Sequence, residues 1–227
     1  MRDAGFVRAR RPEQKEQRRE AILAAALELG MESGVRNVTL GSVAQAVGLA
    51  KSNVGRYFGT REEIFLELAA TGWREWGDAA GTRLRDETDS ETGEPRARVV
   101  AALAETLADR PFFCDLLSHT TTTLEHNISL EAARTFKYAA LRVVSRLGTE
   151  VSHVSPDLDE SEGAELVQAA AALAGTLYPV ATPSPVLAEL YATDPELAAF
   201  CPQLLPTLRR ALAALAAGLP TLRTPDS

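Results

Sequence analysis

The chain has 227 residues, a net charge of −7, 45% hydrophobic and 24% charged residues, and only 6% aromatics. That composition is ordinary for a globular protein with a real core in one or two domains, and it excludes a disordered or fibrous chain. The two cysteines, Cys114 and Cys201, exclude a disulfide framework, and no run of about 18 apolar residues is present to span a membrane.

Abundant alanine and leucine, with no long runs of β-branched residues, predict an all-α fold. Residues 1–12 read as a flexible basic arm ending at Pro12, charged and unlike a secretory signal. A helix is expected over 13–33, from Ile22, Ala25, Ala26 and Leu29 at helical spacing, with Gly34 as its stop. Thr39 is the expected N-cap of a second helix striped by Leu40, Val43, Ala44 and Val47 and ended at Gly48. A third, short helix is expected over 51–58. Thr60 and Glu63 have capping-box spacing and open a long helix carrying Phe65, Leu68, Gly72, Trp76, Ala80 and Leu84. The glycines Gly72, Gly77 and Gly81 along it read either as soft points or as sites of tight packing.

Downstream, 86–95 reads as an acidic loop, and helices are expected over 96–109, 112–124 and 132–153. An alanine-rich helix over 159–178 is expected to end at Pro179, with a proline-punctuated loop to Pro185. Two last helices are expected near 186–191 and 203–217. The division that follows is arm 1–12, head 13–60, helical body 61–220 and tail 221–227.

Charge is unevenly spread. Residues 1–61 carry eleven basic and six acidic side chains, a balance of +5, which leaves −12 on the rest. A basic head on an acidic body suits a polyanion at one end. Two short helices around a tight glycine turn, within Val38 to Phe65, are the helix-turn-helix layout. The second, Lys51-Ser52-Asn53-Val54-Gly55-Arg56-Tyr57, is polar except at Val54 and too short to stand alone, so its outer face is expected to meet a polar partner. Ser52 and Asn53 can read base edges, and Lys51, Arg56, Tyr57 and Arg61 can serve phosphates. With Thr39 these make the expected DNA-contacting set.

The stretch from Arg18 to about Trp76 resembles the N-terminal domain of the tetracycline-repressor family. The resemblance lies in Ala21-Ile22-Leu23-Ala24-Ala25-Ala26, Gly34, Thr39, Val43-Ala44-Gln45-Ala46-Val47-Gly48-Leu49, Lys51, Tyr57-Phe58 and Arg61-Glu62-Glu63-Ile64-Phe65. Arg110–Leu117 and Leu124–Ser129 look like the C-terminal domain of one of its subgroups. The resemblance implies a cytoplasmic homodimer that binds a double-stranded DNA operator, represses transcription and lets go when an unidentified small-molecule effector binds. Gly55 departs from the family's usual tyrosine.

For the body, the expected effector pocket draws on Trp73, Trp76, Phe113, Leu117, His126, Phe136 and Tyr178, a mostly apolar set with a few polar groups. The stretch around His126 reads equally as a helix cap, with Asn127 or Ser129 closing a turn. Ala171, Gly175, Leu208 and Leu212 are the expected dimer contacts, with an internal core as the alternative. An enzyme is not expected, because no phosphate loop, nucleophile elbow or metal motif occurs, and neither a metal nor a cofactor is expected. A helical protein-binding scaffold would leave the polar second helix without a reason.

Overall fold

The computed structural model describes residues 4–88 and 94–223, and among these every regular element is helical. The head holds α1 (Ala4–Ser33), a 3-10 turn (Val35–Asn37), α2 (Leu40–Ala46) and α3 (Lys51–Val54). The body begins with α4 (Arg61–Thr88), α5 (Pro95–Ala108) and α6 (Pro111–His119), which runs into a π-helical turn at Thr120–Leu124. It continues with α7 (Leu130–Val154), α8 (Glu160–Ala181), α9 (Pro185–Thr193), α10 (Pro195–Ala198) and α11 (Leu204–Gly218), and closes on a 3-10 turn, Leu219–Leu222. Within it α7 lies along both α4 and α8, α8 also packs on α6 and α11, and α11 covers α5. Trp76, Leu103, Leu107, Leu116, Leu147, Leu166 and Leu212 are fully buried at the centre.

Several elements differ from expectation for identifiable reasons. Helix α1 starts at Ala4 rather than near Glu13, so the backbone of 4–12 is helical and Pro12 lies inside the helix. The arginine side chains of the expected arm, Arg8, Arg10 and Arg11, fall outside the described residues. Residues 89–93 of the expected acidic loop and 224–227 of the tail also fall outside them. Helix α8 passes Pro179 and ends at Ala181, because a proline in a last turn forfeits one bond while Thr182 N still donates to the Tyr178 carbonyl at 2.9 Å. The threonine run at 120–123 stays helical but widens to π geometry, with Glu125 N donating to the Thr120 carbonyl. A four-residue helix, α10, was not foreseen; Asp194 caps it through Glu196 N and Leu197 N.

Two close approaches fix the body's geometry. A Cβ at Gly163 would stand 2.5 Å from the Gly148 carbonyl oxygen, so α7 and α8 meet backbone to backbone. A Cβ at Gly72 would stand 2.4 Å from the Phe113 ring, so α4 and α6 mesh there. Gly77 and Gly81 likewise face Val143 and Glu150 closely, which makes the α4 glycines packing sites. The segment after α11 is fastened as far as Arg223, which donates to Glu162 and to the Asp157 carbonyl at the start of α8.

Candidate nucleic-acid interface and effector core

In the head, Thr39 caps α2, its hydroxyl accepting from Ser42 N at 3.0 Å while its own N–H donates to the Ser42 hydroxyl. Gly48 takes φ 64, a left-handed conformation that lets the chain reverse after α2, and Leu49 N closes the turn on the Ala44 carbonyl. Val43, Ala44 and Val54 are buried, with α2 packed on α1 and α3 packed on α2. With Val54 inward, Lys51, Ser52, Asn53 and Arg56 are all exposed, as is Thr39, and Tyr57 is half-buried beside them. Regular α-helix stops at Val54, shorter than expected. Beyond Gly55 the turn tightens, with Arg56 N bonded to the Asn53 carbonyl and Tyr57 N to that of Val54.

Arg61 is not where a phosphate ligand belongs. Its guanidinium donates to the carbonyls of Val35 and Val38 and lies 4.7 Å from the Phe65 ring centroid. It ties α4 to the entrance of α2. Arg19 does a similar job unforeseen from sequence, donating to the Tyr57 carbonyl, pairing with Glu67 and stacking on Phe58. On the exposed side of α1, Lys15 and Arg18 border a shallow depression shared with Tyr57.

Two further carboxylates join head and body. Glu63 accepts from Gly59 N at 2.8 Å and from Ser129 N at 2.9 Å, so one side chain holds both the end of the head and the start of α7. Burial pushes its pKa up, but the bonds from Ser129 and Gly59 and the charge of Arg19 more than reverse this, leaving the pKa lowered. Asp115, on α6, accepts from Val35 N at 2.7 Å, across 80 positions of sequence. The capping-box spacing of Thr60 and Glu63 marked the start of α4, yet only half of the box is present. Nothing local in sequence marks Asp115 as a partner of Val35.

The expected pocket residues divide. Trp73, Trp76 and Phe113 form one cluster, Trp73 meeting Trp76 and Phe113 edge to face at 5.4 and 5.7 Å between ring centroids and Trp76 tilted against Phe113 at 6.2 Å. Trp76 Nε1 donates to the Thr106 hydroxyl at 3.0 Å. Trp73 Nε1 is buried with no acceptor. Leu117 and Tyr178 lie at the α6–α8 contact, where burial raises the Tyr178 pKa. Phe136 is buried at the wall of a separate open groove of about 1400 Å³ between α1, α4 and α7. His126 is exposed in the turn before α7, which Asn127 negotiates at φ 59 and Ser129 closes as N-cap, so the turn reading of that stretch holds and His126 lines no core. The expected dimer contacts also need correction. Ala171, Leu208 and Leu212 are buried within the protomer, and a Cβ at Gly175 would sit 3.0 Å from the Leu117 backbone, so all four face inward. Among the described residues no group of His, Cys, Asp or Glu is arranged to hold a metal ion, and no helix is long and apolar enough to cross a membrane.

Comparison with known proteins agrees with this architecture. Residues 22–68 match the family described as bacterial regulatory proteins, tetR family, and residues 70–223 match the tetracyclin repressor-like C-terminal domain. No curated protein matches the chain. Among solved structures, the fatty acid degradation regulator FadR from Bacillus halodurans aligns with a TM-score of 0.55 at 14% identity, over 91% of this chain and 97% of that one. FadR from Thermus thermophilus, solved with lauroyl-CoA, aligns with a TM-score of 0.55 at 16% identity, over 92% and 97%. A possible TetR family regulator from Streptomyces coelicolor A3(2) aligns with a TM-score of 0.54 at 21% identity, over 90% and 100%. These likenesses show a shared fold.

Proposed function

The chain belongs to the tetracycline-repressor family of bacterial regulatory proteins, and from that premise we propose that it is a dimeric cytoplasmic repressor whose α3 reads an operator and whose body senses a small molecule. The observation that carries the DNA reading is the exposed Lys51–Asn53 face, backed by buried Val54 behind the Gly48 turn. Ser52 and Asn53 are the base readers of this proposal. Lys51, Arg56 and Tyr57 take phosphates, joined by Lys15 and Arg18 from α1. Arg61 is reassigned to holding the head together. Selection from a random duplex library at low salt tests the reading. Asn53→Ala is expected to cost about 1–3 kcal/mol and relax preference at one base pair, and an unchanged sequence profile would sink it.

The effector reading rests on the aromatic cluster and on α6. A buried N–H without an acceptor costs about 1–3 kcal/mol, so Trp73 favours a mostly apolar effector that brings an acceptor. Adjacent residues on α6 serve opposite sides: Phe113 joins the tryptophans, while Phe112 lies against Gly30 at the end of α1 and Asp115 holds Val35. An effector that wedges the cluster apart shifts α6, and α6 moves the head. Native mass spectrometry of the purified protein, followed by extraction of bound molecules, identifies the effector. That the Thermus thermophilus neighbour holds lauroyl-CoA supports looking among acyl compounds first.

A twofold operator calls for a dimer. The outward face of α8 carries Ala169, Ala172, Leu173, Thr176, Leu177 and Val180 at helical spacing, all half-buried or exposed. That of α11 carries Thr207, Ala211, Ala214, Leu215 and Gly218. We place the interface on these faces, on the two helices first expected but on their opposite sides.

A further inference from the structure

We propose that residues 182–203, which carry α9 and α10, form an arm that clasps a second copy of this chain at the head-proximal end of the dimer. The proposal rests on the dimer reading and goes beyond it, because it assigns a segment that neither outward helix face includes. Between α8 and α11 the chain leaves the bundle for 22 residues, and not one of them is buried. Val186 and Phe200 are each 76% exposed, and Leu187, Leu190 and Leu197 are exposed as well. Helix α9 has nine residues. Isolated helices below about 12–15 residues are marginal in water, and α9 packs chiefly on α10, itself four residues long, so its open apolar side leaves room for a stabilising surface from a second protomer.

Three observations select the occupant. The first is position: Gly175 and the end of α8 pack on α6, and Asp115 of α6 holds Val35 of the head, so the arm springs from the end of the body nearest the DNA-reading helices. The second is charge. The arm's charged residues are Glu189, Asp194 and Glu196, with no basic residue from 182 to 203. Such a segment is repelled by a duplex and suits a protein surface, and exposed Arg210 just beyond it supplies an opposite charge on the partner's α11. The third is area. A stable interface takes about 20–30 residues a side, and the small and apolar positions named on the outward faces of α8 and α11 number eleven. The arm, continuous with both helices, supplies the remainder.

The test is sedimentation of the full chain over a concentration series, for the wild type, Val186→Asp/Phe200→Asp, and Leu177→Asp as a benchmark on α8. Both arm positions are exposed in the protomer, so the double variant is expected to keep the wild-type helical content by circular dichroism. Its dimer dissociation constant is expected to rise at least tenfold. On selected duplexes it is also expected to lose discrimination between half-site spacings one base pair apart. A dimeric wild type whose arm variant dissociates no more readily overturns the arm. A wild type that is monomeric at every concentration overturns the dimer reading itself, and the arm with it.

Discussion

At the scale of single residues, the head separates two kinds of arginine and lysine that look alike in sequence. Lys51 is exposed, whereas Arg61 spends its donors on the carbonyls of Val35 and Val38. Lys51→Ala is therefore expected to reduce the salt slope of DNA binding by roughly one unit per head engaged, with the loss similar on all sequences. Titrations between 50 and 200 mM salt, concentrations of about the range over which such slopes are read, check it. Gly55 has room for a side chain, since a Cβ there would lie 3.6 Å from the Ser52 carbonyl oxygen. Gly55→Ala is expected to stabilise the head by about 0.4–1 kcal/mol, read as a higher denaturation midpoint. Glu63 gives a pH signature. Its lowered pKa means that its contribution is present above its ordinary value of 4.5 and is lost as pH falls through the folded value. Glu63→Ala is expected to cost about 1–3 kcal/mol near neutral pH, and the difference from wild type should vanish in melts taken below that acid limb. Sequence showed which residues could meet DNA. It could not show which cation bends back onto its own backbone, because that depends on carbonyls left open by a 3-10 turn.

Single elements were legible in proportion to their periodicity. The stripes of α2 and α4 put those helices where they are, and capping residues Thr39 and Ser129 marked two starts. In α8 and α11 composition identified the helices but not which side faces home, because an alanine-rich helix carries small apolar residues on both sides. Ala171 and Gly175 turn inward while Ala172 and Thr176 turn outward, one position away. Helix α6 was the least legible. Its role comes from contacts 80 residues away in sequence, and no local pattern encodes those. Asp115→Ala is expected to remove exchange protection at the Val35 amide and to let head and body melt in separate calorimetric transitions. Retained protection at Val35 would mean that the 3-10 turn holds itself.

For the whole molecule, the all-α architecture and the basic head on an acidic body could be read from composition and charge. The 182–203 segment could not, since α10 is four residues long and α9 is a short, mostly apolar helix with no buried face. The −12 body confines DNA to one end and keeps the rest of the surface off the polyanion. If effector binding at the aromatic cluster displaces α6, operator and effector must weaken each other by the same factor. Calorimetry of the extracted effector with and without operator duplex is expected to show that equality, and identical affinities in the two titrations would remove the cluster from the switch.

Burial of Cys114 makes the molecule its own clock. The thiol donates to the Leu107 carbonyl, and burial, with Asp115 beside it, pushes its pKa up to about 12. Almost no thiolate exists there at neutral pH, and alkylation needs thiolate. A maleimide pulse can then reach Cys114 only when the bundle opens, whereas Cys201 sits half-exposed on the arm. Peptide mass spectrometry of one such pulse would read two sites in one sample, the breathing of the body at Cys114 and the accessibility of the 182–203 segment at Cys201.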